Sequence, residues 1–270
     1  MSVSHGRPAR RRRRWIWAIV ALVTATVLIS PLALLVGMKP APHHEYGPVT
    51  VYRRAVTAIR VSAPGDAVAI TAGRPGQVSV ASTMAWLVTK PAVRARWHGT
   101  TLTVSVHCPA PNLFEDCSAN LIVHVPAAAE VWAAVGAGSA AVTGLAGPVR
   151  VTATSGSLVL AYLNGPLWAT ATSGSITGMT GLNSAELTAD VGSGSLALGL
   201  DSAPRSLSLT VGSGSGHVTV PLGTRYRIDT GPGNTVHMTP GMSSPDAASL
   251  IAAEAGSGTL TIGYPGGLPG

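Results

Sequence analysis

A single phenylalanine, aromatic residues at 4% and charged residues at 11% of 270 positions leave little of what helices and ring-filled cores are made from. Val, Ala, Thr and Ser are abundant instead, beside 32 glycines, and such a composition suits pleated strands joined by tight turns. An all-β fold is the expectation, and the length allows one or two domains with a sizeable core. Lysine is nearly missing. Only Lys39 and Lys90 occur, neither behind a glycine loop, which excludes a Walker A phosphate site. No G-x-S-x-G elbow is present for a serine hydrolase. Cys108 and Cys117 are the whole cysteine complement, so a lipobox cysteine is missing and so is a zinc pattern of paired ligands.

The formal charge of +7 sits mostly at one end. Arg7 together with Arg10, Arg11, Arg12, Arg13 and Arg14 make six of the 18 basic residues, leaving 12 basic against 11 acidic in the rest, a balance of +1. Nothing in the body of the chain is expected to form a basic stripe interleaved with stacking aromatics, and nucleic acid is not an expected partner. The arginine block instead precedes an apolar, charge-free run at 15–38. As a helix these 24 residues reach about 36 Å, against a hydrocarbon core of about 30 Å. Trp15 and Trp17 suit the headgroup layer, and the positive-inside rule puts the arginines in the cytoplasm. The expected topology is single-pass in the plasma membrane: a basic cytoplasmic tail 1–14, a transmembrane signal anchor 15–38, a linker 39–48, and the remainder extracytoplasmic. A cleaved signal peptide is the competing reading, but no small-x-small site follows, since Ala41 has Lys39 two residues before it and Gly37 has Leu35. In an oxidising compartment Cys108 and Cys117 are expected to pair across the loop 109–116. A metal site with His107 and His124 competes with that, at a spacing that matches no zinc pattern.

Beyond the linker the chain divides into a first β region, 49–126, a repeat region, 127–264, and a short tail, 265–270. In the first region, turn signals at Pro64-Gly65-Asp66, Arg74-Pro75-Gly76 and His98-Gly99 separate six candidate strands: 55–62, 67–72, 77–81, 93–97, 101–107 and 120–125. In the second, corner glycines Gly156, Gly174, Gly194, Gly214, Gly233 and Gly258 recur at separations of 18, 20, 20, 19 and 25 residues. Between them apolar residues alternate with polar ones, as in Leu187, Ala189 and Val191, or Leu196, Leu198 and Leu200, which is a strand period and not a helical one. A period near twenty with two strands in each unit predicts a β-solenoid or β-helix-like stack of Gly/Ser-cornered repeats. Equivalent residues would then lie about 4.8 Å above one another, so the repeated turn admits only residues with little side chain. The corners are expected to follow one another in chain order, with a bulged loop at 239–245 taking up the longer last interval.

Few residues promise chemistry. Gly192-Ser193-Gly194-Ser195-Leu196-Ala197 imitates G-x-G-x-x-A, but the same string recurs on successive repeats and opens no helix. Asp190 and Asp229 precede corners as the ligands of a calcium-binding roll would, yet the turn positions hold Ser. His217 and His237 lie near Ser213, Ser215 and Asp229 in sequence, and surface strand histidines are the simpler reading than a triad. The acid pair of a glycosidase is hard to assemble from eleven scattered acids; Glu115 and Asp116 are adjacent but belong to the cysteine loop. Trp132 and Trp168 offer planes on which sugars stack, although rings in such positions more often fill the end of a core. No catalytic, cofactor-binding or metal residue is assigned, and no cofactor is expected.

Several stretches carry a family resemblance: Val56-Thr57-Ala58-Ile59-Arg60-Val61, the loop from Cys108 to Cys117, the run 119–126 ending in Val123-His124-Val125-Pro126, and the units Val151-Thr152-Ala153-Thr154-Ser155-Gly156-Ser157 and Ala169-Thr170-Ala171-Thr172-Ser173-Gly174-Ser175. Together they resemble the bacterial "putative adhesin" family of β-strand repeats, a domain of unknown function related to toast-rack-like envelope-stress domains. The similarity spans 49–263. Where that family often has Ser-Gly-Asp at the corner, this chain has Ser-Gly-Ser or Gly-Ser-Gly, which removes whatever an acidic ladder would bind. The resemblance implies an adhesin-like, non-catalytic binding or structural module at the cell envelope. Its expected partners are the bilayer, through 15–38, and an envelope polymer or a membrane protein. Two alternatives stand beside it: an envelope-stress sensor, whose 14-residue tail would need a membrane partner to signal, and, less favoured, a polysaccharide-active β-helix enzyme.

Overall fold

The computed structural model describes residues 42–108, 117–231 and 235–266. The expected cytoplasmic tail and anchor, the loop 109–116 and the corner glycine Gly233 lie outside the described residues. Among the described residues no helix is long and apolar enough to cross a membrane.

The described fold is all-β, with nineteen strands. The first eight are β1 His43–Tyr46, β2 Thr50–Tyr52, β3 Ala58–Ala63, β4 Val68–Gly73, β5 Val78–Trp86, β6 Ala92–His98, β7 Thr101–His107 and β8 Cys117–Pro126. Then come β9 Glu130–Val135, β10 Ser139–Thr143, β11 Val149–Ala153, β12 Ser157–Ala161, β13 Leu167–Leu182, β14 Glu186–Leu200 and β15 Ser206–Thr219. The chain closes with β16 Tyr226–Thr230, β17 Val236–Met238, β18 Ser249–Ala255 and β19 Thr259–Gly263.

Pairing arranges them as two limbs of one sheet. On the first limb the neighbours run β6, β7, β3, β9, β11, β13, β14, β15, β18, β16, parallel throughout except for the β6–β7 hairpin. The second limb starts with β1 and β2 on β5 and continues β8, β4, β10, β12, β13, β14, β15, β19, β17, antiparallel only at β1–β5, β2–β5 and β5–β8. Strands β13, β14 and β15 belong to both limbs because each bends at its Ser-Gly-Ser corner. In β14, Leu187, Ala189, Val191, Leu196, Leu198 and Leu200 are buried while Thr188, Asp190 and Ala197 face away.

Side chains turned inward from both limbs form one core of Val, Leu, Ile and Ala, with Tyr226 the one buried ring among the described residues. Each such Val or Leu contributes about 1.5–3 kcal/mol over leaving it in water.

At the corner the backbone of one segment rests directly on that of the next. Gly174, Gly194 and Gly214 are in register. A Cβ built on Gly156, Gly174, Gly194 or Gly214 runs into the carbonyl oxygen of Gly138, Gly156, Gly174 or Gly194 respectively. The column extends one repeat further back than the glycine period at 156 suggests, for Gly138 lies against the carbonyl of Asp66 in the same way.

Three sequence expectations are revised. The linker 39–48 contains a strand, since β1 pairs with the end of β5 and His43 stacks on Trp86 with ring centroids 5.8 Å apart. The boundary at 126/127 is no break in the sheet, because β3 pairs with β9 and β4 with β10 across it. The last repeats do not follow chain order: β18 and β19 pair with β15, and Gly258 sits against Gly214. Strands β16 and β17 lie outside them: β16 pairs with β18 and bridges to Ser243 at Tyr226, and β17 pairs with β19. Residues 239–245 are therefore no bulge. They belong to the connection that brings the chain from the outermost strands back to the place beside β15.

Cys108 and Cys117 form a disulfide. It ties the end of β7, on the first limb, to the start of β8, on the second, and closing so short a loop contributes about 2–3 kcal/mol. With both thiols so engaged they cannot ligate metal. His124 Nδ1 is hydrogen-bonded to Thr71 Oγ1 at 2.6 Å, and the competing metal reading is withdrawn. Close to this bridge Asp66, 3% exposed, accepts the Ala119 N–H at 2.6 Å. Burial pushes its carboxyl above the usual range, and the Ala119 hydrogen bond only partly offsets the rise.

Candidate functional site

On the outer face of the first limb, the register sets Arg96 of β6 opposite Thr103 of β7, Thr103 opposite Arg60 of β3, and Arg60 opposite Trp132 of β9. Trp132 stands opposite Arg150 of β11, and Arg150 opposite Trp168 of β13. Six adjacent strands thus present one row in which arginine occupies every second place. Neighbouring strands are about 4.8 Å apart, so successive arginines are separated by about 9.6 Å.

The row is held by stacking. The Arg60 guanidinium carbon lies 3.4 Å from the centre of the Trp132 ring, and that of Arg150 lies 4.4 Å from the centre of Trp168. At a surface each cation–π pair contributes about 0.5–1 kcal/mol. Trp132 Nε1–H donates to Glu130 Oε1 at 2.8 Å, which fixes the indole further. The two tryptophans are half-buried, and Arg60, Arg96 and Arg150 are exposed. One row along lies a hollow of about 260 Å³ between the stacked side chains and the small residues Ser62, Ala134 and Thr152.

This row overturns the expectation that the body of the chain lacks a basic stripe interleaved with aromatics. Linear order hides it because Arg60 and Trp132 are 72 positions apart. A signal was nonetheless present: Trp132, Arg150 and Trp168 are spaced by 18 and 18, the same interval that separates Gly138, Gly156 and Gly174. The two tryptophans are not core ends but parts of this outer row.

Other features of interest lie elsewhere. A groove of about 810 Å³ follows the corner, lined by Gly138, Ser157, Gly174, Ser195 and similar small residues without a charged group. Asp190 stands between Thr170 and Thr210, and Asp229 opposite Ala252. Among the described residues no three His, Cys, Asp or Glu side chains gather as metal ligands would. His217 and His237 flank Thr261 on the second limb, whereas Asp229 belongs to the first, so the conceivable triad is not brought together. Glu115 and Asp116 lie outside the described residues. The outer face of the second limb is nearly free of charge, with Ile122, Ala69, Ala141, Val159, Thr177 and Ala197 in one row.

No protein-family model matches the sequence, and no curated protein matches it. Solved structures similar to this chain include a putative cell adhesion protein from Clostridium sporogenes, 8% identical, covering 83% of this chain and 99% of its own, at a TM-score of 0.33. A putative lipid binding protein from Parabacteroides distasonis is 11% identical over 82% of this chain and 96% of its own, at 0.45. A putative adhesin from Bacteroides fragilis is 12% identical over 84% of this chain and all of its own, at 0.36. At these values neither ligand nor activity transfers to this chain.

Proposed function

We propose that this chain is a non-catalytic binding module of the bacterial cell envelope, anchored in the plasma membrane by 15–38 with its β domain outside. In this reading the two-limbed sheet is a β-solenoid that presents its contact surface on one limb. The observation that supports it most is the row Arg96, Arg60, Trp132, Arg150, Trp168: three exposed cations on one sheet face, of which Arg60 and Arg150 are held in place by stacking. Such a row recognises; it has neither the acid pair of a glycosidase nor an activated nucleophile beside it. The disulfide fits an oxidising compartment, and the Arg10–Arg14 block fits a cytoplasmic N-terminus.

Expression of the full chain in a bacterial host tests both halves. It should stay with the membrane after an alkaline carbonate wash, and protease added to spheroplasts should remove the β domain. The purified chain in nonionic detergent should co-sediment with insoluble cell-wall material, and Arg60→Glu with Arg150→Glu should release it. A chain found in the soluble fraction would sink the anchor, and one that ignores cell-wall material would sink the binding role.

A further inference from the structure

Resting on that reading, we infer that the ligand of the arginine row is an acidic polysaccharide, bound across the strands with its anionic groups on the guanidinium edges. Arg96, Arg60 and Arg150 stand on the first, third and fifth of successive strands, so their backbone positions repeat at about 9.6 Å across the strands, and Arg60 and Arg150 both lean over the tryptophan of the following strand. A line of evenly spaced cations matches a polymer with evenly spaced anions, not a single small molecule.

Stacking decides which edge is on offer. One face of each indole is covered by a guanidinium, and the side chain of the next strand stands beside the other. What remains for a ligand is the fork of N–H donors, a shape that takes a carboxylate or sulfate through two parallel hydrogen bonds. The hollow over Ala134, between Arg60 and Arg150, has room for part of a sugar ring linking two such groups.

The same covering argues against the rivals. Neutral glycans and single-stranded nucleic acids are gripped largely by stacking on open aromatic faces. Duplex nucleic acid carries one phosphate per strand for about every 3.4 Å of helix axis, a denser array of charge than arginines about 9.6 Å apart can match.

Titrating the full chain in nonionic detergent with matched lengths of polygalacturonate, dextran and oligothymidylate tests the inference. Polygalacturonate should bind, more weakly as salt rises. Dextran should not bind, and oligothymidylate should bind less tightly. Arg60→Gln and Arg150→Gln should each weaken polygalacturonate binding by roughly tenfold, while Arg74→Gln, an exposed arginine in the turn after β4, should leave it unchanged. Melting temperatures run alongside. Should the glutamine variants melt early, Arg60→Lys and Arg150→Lys keep the charge without the fork and should still bind less well than wild type. Equal binding of dextran, tighter binding of oligothymidylate, an equal loss from Arg74→Gln, or full affinity in the lysine variants would each overturn the inference. Retention on cell-wall material without binding to polygalacturonate rejects this ligand and leaves the envelope-binding reading standing; loss of both rejects both.

Discussion

At Gly194 φ is +152° and the Cα faces the Gly174 carbonyl oxygen at a distance that excludes a Cβ. Both facts act against any larger residue, since the neighbour is backbone in the repeat below and cannot swing aside. Gly194→Val is expected to cost about 3 kcal/mol or more, lowering the melting temperature by about 6 °C or more. Thr210→Val, on the outer face of β15, should change stability by less than about 0.5 kcal/mol. Equal melting temperatures for the two would contradict the backbone stacking. Asp66 makes a different prediction. Its carboxyl is raised by burial, so the neutral form fits the fold better than the charged one. Its contribution to stability is complete below the unfolded value of about 3.9 and is lost as pH rises through the higher folded value. Asp66→Asn keeps an oxygen for the Ala119 N–H and removes the charge. The variant should therefore gain on wild type as pH goes from 4 to 7, read as a difference in melting temperature; a constant difference would show that the carboxyl does not titrate in this way.

Strands show where reading a sequence succeeds and where it stops. Alternation such as Leu207, Leu209, Val211 fixes strand type and the buried face, because burying every second side chain is a local demand that each segment answers alone. The 18- and 20-residue returns of Gly and Ser fix which segments become neighbours as far as β15, because a corner that admits only glycine marks its own register. Past β15 the rule fails. Strands β16 to β19 have the same alternation as the rest, and nothing local in them says that β18 takes the place beside β15 while β16 is pushed outward. The arginine row was hidden for the same reason: half of its members are set by pairing between β3 and β9, a contact between distant parts of the chain. Amide hydrogen exchange checks the order directly. Since β18 and β19 have strand partners on both sides, while β17 has one on a single side and β16 meets a second only at Tyr226, the amides of 249–255 and 259–263 should exchange more slowly than those of 227–230 and 236–238. The reverse order would mean that β16 and β17 lie inside.

If the described β domain is the stack of repeats proposed above, whole repeats should be removable while fractions of them should not. Both β13–β14 and β14–β15 pair at an offset of 20 residues. Deleting residues 186–205 joins Ala185 to Ser206 and lets β13 meet β15 with Gly174 against Gly214. That variant should fold with a single melting transition and keep the arginine row, which lies on other strands. Deleting only 186–195 removes the first-limb arm and the corner of β14 while leaving 196–205 in place, and should leave the chain unfolded or aggregated, as circular dichroism and light scattering would show.

The inverted order at the far end also governs how the molecule is finished. Strands β16 and β17 are synthesised before β18 and β19, the only strands they pair with, so the nascent polypeptide has nowhere to lay them down when they emerge. Growth by simple addition of turns in chain order stops at β15, and β16 and β17 reach their places only when the chain as far as Gly263 is available to pair with them. A chain interrupted anywhere before that point carries a naked growing end, the same kind of end on which a second molecule could begin to build.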